Sequence, residues 1–231
     1  MNYQKGVNFK KGNQILHYRS YNTPYWENSE SQKMADCYFQ HAKQLCSDAE
    51  VLKFASDHLT IDGLFLELGV CTGMTINFIA ALNPHHTIYG FDSFEGLPED
   101  WVCGKRIIPK GSLGLKNPSQ PPPVLHNVEL IKGWFEDSLP QFVTRAPQDQ
   151  SIAFLHVDCD LYSSTACAFK HLAALIKAGT IIVFDEFYNY PGYENHEFKA
   201  FHEFLESSAF KPEFLGYNIY HQQVAVRILD S

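Results

Sequence analysis

Acidic residues stand where the apolar runs of this chain end, and this recurrence is its strongest chemical signal. Glu67 closes the first run, Phe65-Leu66-Glu67-Leu68, and Asp92 closes Tyr89-Gly90-Phe91-Asp92. Glu136 and Asp137 come shortly after the third run, Asp158 and Asp160 follow the fourth, and Asp185 and Glu186 follow the fifth. One carboxylate in such a place is more often a helix N-cap or a solvated loop charge. Five successive runs ending this way weaken that reading. Asp158, Asp185 and Glu186, without a basic partner, repel one another unless a cation neutralises them, and an all-oxygen set suits a hard ion such as Mg²⁺ or Ca²⁺ rather than zinc. The bland alternative is a carboxyl that stays protonated or turns to solvent. Gly69 and Gly73, spaced after the first run, let the backbone turn tightly and approach a ligand. Glu67 puts negative charge where a phosphate-cradling loop wants none, so the ligand of this loop is expected to be cationic or neutral. Asp92, roughly 25 residues further on, lies where dinucleotide folds place the acid that accepts hydrogen bonds from ribose hydroxyls. Its plain alternative is a cap for a helix after Ser93.

Such residues need a scaffold that brings the run ends together. Strand-like segments at 64–68, 87–91, 128–132, 152–157 and 180–184 alternate with helical runs, the clearest at 74–82 and 165–177. That alternation predicts βαβ units and a doubly wound, mostly parallel Rossmann-like sheet with helices on both faces. Two runs near the end, 213–219 and 223–229, are too close for a helical crossover, so the sheet, seven strands in all, should finish in an antiparallel hairpin. Apolar positions Met34, Cys37, Tyr38, His41, Ala42 and Cys46 recur at helical spacing after Asn28 and Ser29, so residues 1–59 read as an N-terminal helical cap on a single unit of 60–231. Residues 100–127, rich in Gly and Pro, form a connection too long to be passive and read as a lid or substrate loop.

Composition narrows the partners. The 231 residues suffice for one well-buried α/β domain, and a formal net charge of -8 argues against a nucleic-acid surface. A small molecule is the expected partner. The six cysteines form no C-x-x-C pair, which argues against zinc knuckles and redox pairs. No run has the length and character of a signal peptide or a membrane span, so the cytoplasm is the expected compartment. The aromatic N-terminus predicts a surface that meets another copy of the chain.

Four ordered motifs carry a family resemblance: Glu67 to Gly73; Phe91-Asp92-Ser93-Phe94-Glu95-Gly96-Leu97-Pro98; Lys132-Gly133-Trp134-Phe135-Glu136-Asp137-Ser138-Leu139-Pro140; and Val157-Asp158-Cys159-Asp160-Leu161-Tyr162-Ser163-Ser164-Thr165. Together they resemble class I S-adenosylmethionine-dependent methyltransferases, within them the macrocin O-methyltransferase (TylF-like) group, over residues 60–230. The resemblance implies that Glu67, Gly69 and Gly73 wrap the methionine part of S-adenosylmethionine, that Asp92 with Ser93 meets the ribose, and that Phe135 and Glu136 lie beside the adenine, with Asp158 at the same cleft. A sulfonium cation agrees with the charge argument. The resemblance also assigns Mg²⁺ to Asp158, Asp185 and Glu186; relatives usually carry Asp-Asp at the last pair, and Glu186 keeps the charge with a longer reach.

The activity so implied is methyl transfer to a hydroxyl of a sugar or sugar-bearing metabolite. A sugar-like hydroxyl is a poor nucleophile, and a metal lowers such pKa values by several units. A base must take its proton. The more distantly related catechol O-methyltransferases use a lysine three residues after the first acidic ligand, where this chain has Leu161. Asp160 is the replacement candidate, with Asp158 next. Alternatives are a phenolic or catechol acceptor, a noncatalytic S-adenosylmethionine-binding module, and an NAD-dependent oxidoreductase, the last opposed by Glu67 and by the lack of G-x-G-x-x-G. Weaker candidates are His156, two residues before Asp158 and equally a structural histidine; His196 and Glu197, where a covering segment after the fifth strand or a plain helix start fits; and Tyr162, Trp101 and Trp134 as pocket walls or core.

Overall fold

Strands that are apolar at nearly every position must be covered on both faces, and the central strands of this protein are buried throughout. The computed structural model describes residues 7–11, 14–18, 29–147 and 149–231. The chain begins with β1 (Val7–Lys11) paired antiparallel to β2 (Gln14–Tyr18), then α1 (Ser29–Tyr38), β3 (Lys43–Leu45) and α2 (Asp48–Asp57). There follow β4 (Leu64–Leu68), α3 (Met74–Leu82), β5 (Ile88–Asp92), β6 (Trp101–Cys103), β7 (Arg106–Ile108), β8 (Val128–Lys132) and α4 (Phe135–Arg145). The last part holds β9 (Ile152–Val157), α5 (Tyr162–Leu172), β10 (Ile181–Phe184), α6 (Glu197–Glu206), β11 (Phe210–Asn218) and β12 (Val224–Asp230).

The main sheet has the order β3-β11-β12-β10-β9-β4-β5-β8. β10, β9, β4, β5 and β8 run parallel, while β12 is antiparallel to both β10 and β11. Alternate residues of β4 feed two cores. Leu64, Leu66 and Leu68 join Leu139, Phe169 and Phe201 of α4, α5 and α6 on one face. Phe65 joins Leu52 of α2 and Ile76 and Ile79 of α3 on the other. Because β5 and β9 flank β4 on opposite sides, connections leave toward opposite faces there, and a crevice opens beyond the carboxyl ends of β4 and β9.

The expected mostly parallel sheet with a terminal antiparallel hairpin is present, with corrections. The sheet has eight strands, not seven, because the three-residue β3 adds parallel to β11; with polar Lys43 and Gln44 exposed, it has no readable alternation. The N-terminal segment is not simply helical. Its backbone includes the β1–β2 pair, α1 stops at Tyr38, and a second helix follows. Ser47 caps α2, its hydroxyl accepting from Glu50 N, while the Glu50 carboxylate accepts from Cys46 N. α2 buries Ala49, Val51, Leu52 and Ala55 in the same core as α3, so no structural break falls at residue 60. Asn28 and, of the N-terminal aromatic residues expected to meet another copy, Tyr3, Tyr21, Tyr25 and Trp26 lie outside the described residues. The lid segment carries a hairpin, β6–β7, and α5 begins at Tyr162 rather than residue 165. No helix among the described residues is long and apolar enough to cross a membrane.

Candidate active site

The loop after β4 is shaped by close packing against the end of β9. Gly69 has φ +90, and a Cβ on it would lie 1.7 Å from the Asp158 carbonyl oxygen, so this position excludes side chains. The next two amides are claimed by Asp92 at the end of β5: Val70 N and Cys71 N donate to Oδ2 at 2.8 and 2.7 Å, and Phe94 N donates to Oδ1 at 2.6 Å. Asp92 therefore fixes the loop first, and any bond to a ribose uses a remaining lone pair. Gly73 (φ +80) opens α3.

Glu67 departs from its expected place. It is fully buried and lines neither cavity of the crevice. Thr75 Oγ1 donates to its Oε1 at 3.0 Å, and its Oε2 is 3.1 Å from His156 Nδ1. Its carboxyl joins β4, β9 and α3, and burial pushes its pKa up despite the bonds from His156 and Thr75. The first-strand acid thus acts on the loop through its neighbours.

Two cavities open above the sheet. The first, about 350 Å³, is lined by Gly69, Asp92, Ser93, Phe135, Glu136 and Asp158, the residues assigned to the cofactor apart from Glu67 and Gly73, and by Trp134. Phe135 and Glu136 stand in the first turn of α4; β8 itself ends at Lys132, whose ammonium donates to Pro118 O, so the expected acidic end of this strand is absent. The second cavity, about 390 Å³, holds Asp158, Asp160, Asp185 and Glu186 together with Trp101 and Tyr190. Asp158, Asp160, Cys71 and Leu113 line both, so the cavities adjoin along an acidic seam. The Cys71 thiol donates to Leu113 O at 3.2 Å and links the glycine loop to the lid segment there.

The structure brings Asp158, Asp185 and Glu186 together: one carboxylate oxygen from each lies within 4.8 Å of the others. Glu186 Oε2 is buried without a partner among the described residues, and Asp185 Oδ1 accepts from Gln223 Nε2 at 3.0 Å. Burial and then the charge of Asp185 push the Asp158 and Glu186 pKa values well up. An all-oxygen trio with an orphaned oxygen and mutual repulsion fits a hard divalent cation, and these three residues could hold one. Asp160, held at φ +63, is pushed up to about 7 by burial, then by Asp185 and Asp92.

Glu197 is a residue whose role the sequence concealed. Its side chain is fully buried at the start of α6, where Oε2 accepts from Glu186 N at 3.1 Å and Oε1 from Cys159 N at 3.4 Å. It thus joins the backbones of the two loops that carry the acidic trio. Burial and the Asp160 and Asp185 charges push its pKa well up. Asp48, at the start of α2, also lines the second cavity; its signal was only an acid one residue after a serine cap. His156 approaches Asp185, Nε2 to Oδ1 at 4.0 Å, from beneath the site. Tyr162 points elsewhere, its hydroxyl donating to Glu203 Oε2 at 2.7 Å, because α5 starts early enough to put it on an exposed face.

A family model described as a methyltransferase domain matches residues 66–187, and the chain belongs to that family. Among curated relatives, the 8-demethyl-8-(2,3-dimethoxy-alpha-L-rhamnosyl)-tetracenomycin-C 4'-O-methyltransferase of Streptomyces olivaceus is 26% identical over 157 residues, covering 59% of this chain. The match spans 58% of that relative's length. Solved structures with a similar fold include the calicheamicin methyltransferase CalS11 (TM-score 0.60, 21% identity, 78% of this chain and 76% of that one). The O-methyltransferase NovP has TM-score 0.55 and 20% identity, with 78% of each chain covered.

Proposed function

We propose that the protein is an S-adenosylmethionine-dependent O-methyltransferase, assisted by Mg²⁺, that methylates a hydroxyl of a sugar or sugar-bearing small metabolite. The observation that carries the reading is the seam of Asp158 and Asp160 between a nucleoside-sized cavity and an acidic one. The curated relative acts on a rhamnosyl group by its name, and CalS11 is described as a TDP-rhamnose 3'-O-methyltransferase. The finer placement with macrocin O-methyltransferases rests on the four ordered motifs. A cytoplasmic setting accords with six unpaired thiols.

In this reading Phe135 and Glu136 lie beside the adenine, Ser93 and Asp92 meet the ribose, and Gly69 gives the methionine part its close approach. Asp158, Asp185 and Glu186 hold the metal, which when bound supplies Lewis acidity that eases loss of the acceptor's hydroxyl proton. Asp160, on the seam, takes that proton as the hydroxyl oxygen bonds to the methyl carbon and the carbon–sulfur bond breaks. Fixing both reactants across one seam supplies a large part of the acceleration.

The test is transfer of labelled methyl from the cofactor to a pool of hydroxylated glycosides, with and without a chelator. Asp160→Asn should reduce transfer at least about 100-fold, the ordinary weight of a positioned base, with cofactor affinity nearly intact. Unchanged turnover in that variant rejects Asp160 as the base, and turnover indifferent to chelation rejects the metal.

A further inference from the structure

Buried polar atoms that find no partner are uncommon in folded proteins, and each asks for an explanation. Two of those found here lie on one wall of the acidic cavity. Trp101 and Tyr190 are 8% and 1% exposed, and both line that cavity. Among the described residues, neither the Trp101 indole N–H nor the Tyr190 hydroxyl has a hydrogen-bond partner. Their rings meet edge to face, with centroids 6.0 Å apart and planes at 79°. Glu186 Oε2, the third orphan at this cavity, is accounted for by the cation site.

The pair is held in place by contacts made elsewhere. Trp101 belongs to the β6–β7 hairpin of the lid segment, and Tyr190 to the stretch after β10. His196 Nε2, 2.9 Å from Val102 O, donates to the hairpin and fastens it to that stretch. Gly104 comes so near Pro191 that a Cβ on it would sit 2.6 Å from the proline Cβ. Packing alone does not explain the polar atoms, because phenylalanine fills nearly the same space as tyrosine without burying a hydroxyl at a cost.

We infer that the Trp101 indole N–H and the Tyr190 hydroxyl are reserved for the methyl acceptor, as specificity-determining donors on a shared aromatic wall. The inference rests on the acceptor reading above and deepens it. The ligand that fits is a ring bearing ether or hydroxyl oxygens, with C–H edges to lie against the aromatic faces, as a pyranose has. A purely apolar ring satisfies neither donor. The neighbouring Glu186, Glu197 and Asp160 carboxyls, together with burial, keep the phenol protonated and so a donor.

The test is Tyr190→Phe, with Trp101→Phe as a second, independent variant. Methyl transfer is measured on a panel of methyl pyranosides that includes the α-L-rhamnoside, alongside S-adenosylhomocysteine affinity and Tm. The expected result for Tyr190→Phe is an unchanged or higher Tm, unchanged S-adenosylhomocysteine affinity, and kcat/KM for the pyranoside at least tenfold lower, mostly in KM. Trp101→Phe should lose transfer likewise. A drop in Tm of more than about 3 °C in Tyr190→Phe would mean that the hydroxyl has a structural partner in solution and overturns the inference. Transfer equal to wild type overturns it too. If the wild type binds S-adenosylhomocysteine yet neither methylates nor binds any pyranoside, the proposed acceptor class falls, and this assignment with it.

Discussion

Glu197→Gln keeps the shape of a fully buried side chain while removing one charge and one acceptor. In the wild type its two oxygens accept from Glu186 N and Cys159 N, at 3.1 and 3.4 Å. An amide can still accept one of these bonds, and the other N–H then faces an NH₂ group. A buried donor stranded in this way costs about 1–3 kcal/mol. Removing the charge acts in the opposite direction, since Glu197 lies near Asp160 and Asp185, whose carboxylates push its pKa up. Like charges within a few ångströms repel by up to about 4 kcal/mol at an effective dielectric near 20, of the same order as the stranded donor's cost. The two effects nearly cancel, and in a chain of this size 1 kcal/mol moves Tm by only about 2–4 °C. Thermal stability is therefore a poor witness. Divalent-ion affinity is a good one, because lost charge and loosened loops both weaken it. Mn²⁺ binding, followed by electron paramagnetic resonance and calorimetry, should weaken about 10- to 100-fold, the usual cost of disturbing groups that orient metal ligands. S-adenosylhomocysteine affinity should stay as it was, since Glu197 is absent from the cofactor cavity. Wild-type Mn²⁺ affinity in the variant refutes the clamping role; a wild type that binds no Mn²⁺ refutes the metal site itself.

The glycine loop and the acid beneath it give two further expectations. Gly69→Ala would place a methyl group 1.7 Å from the Asp158 carbonyl at φ +90, so urea denaturation should show a loss of at least about 3 kcal/mol or no folded protein, and wild-type stability would refute the packing. Glu67 has a folded-state pKa raised by burial above the ordinary 4.5. Its contribution is therefore fully present below pH 4.5 and is lost as pH rises through the folded value, because the unfolded chain ionises first. Glu67→Gln keeps an acceptor for Thr75 and can donate to His156, so its stability should decline less than that of the wild type between pH 4.5 and 8. Parallel declines in the two proteins would remove Glu67 from the pH response.

The parallel core was legible because β4, β9 and β10 are apolar at almost every position, a pattern with little meaning outside a covered sheet. The acidic trio was legible for a related reason: strand ends converge in such a sheet, so Asp158, Asp185 and Glu186 had to be neighbours. β3 was hidden, because three residues carry no period. Glu67 misled, since sequence position gives the strand end but not which face of the sheet the side chain takes. It turns toward α3 and the paired His156. Glu197, Trp101 and Tyr190 lie outside the ends of the central strands and meet the site from a helix start, a hairpin and a loop, so their spacing along the chain encodes nothing about their distance in space.

The carboxyls of the seam make the fold worse at being merely folded. Asp158, Asp160, Glu186 and Glu197 all have raised pKa values, with burial the largest cause and other acids next, so ionising any of them puts an unfavourable charge in a dry interior. Apolar residues of similar size would relieve that cost, and the sheet beneath already has them at every position of β10 and at all but His156 of β9. A scaffold that packs so well has no structural need of the acids above it. In the function proposed above, cationic ligands supply the need: a divalent ion among the trio and a sulfonium across the seam would convert the same repulsion into attraction. The charge pattern, more than the fold, is what turns a common α/β frame toward an onium donor and away from the pyrophosphate of a dinucleotide.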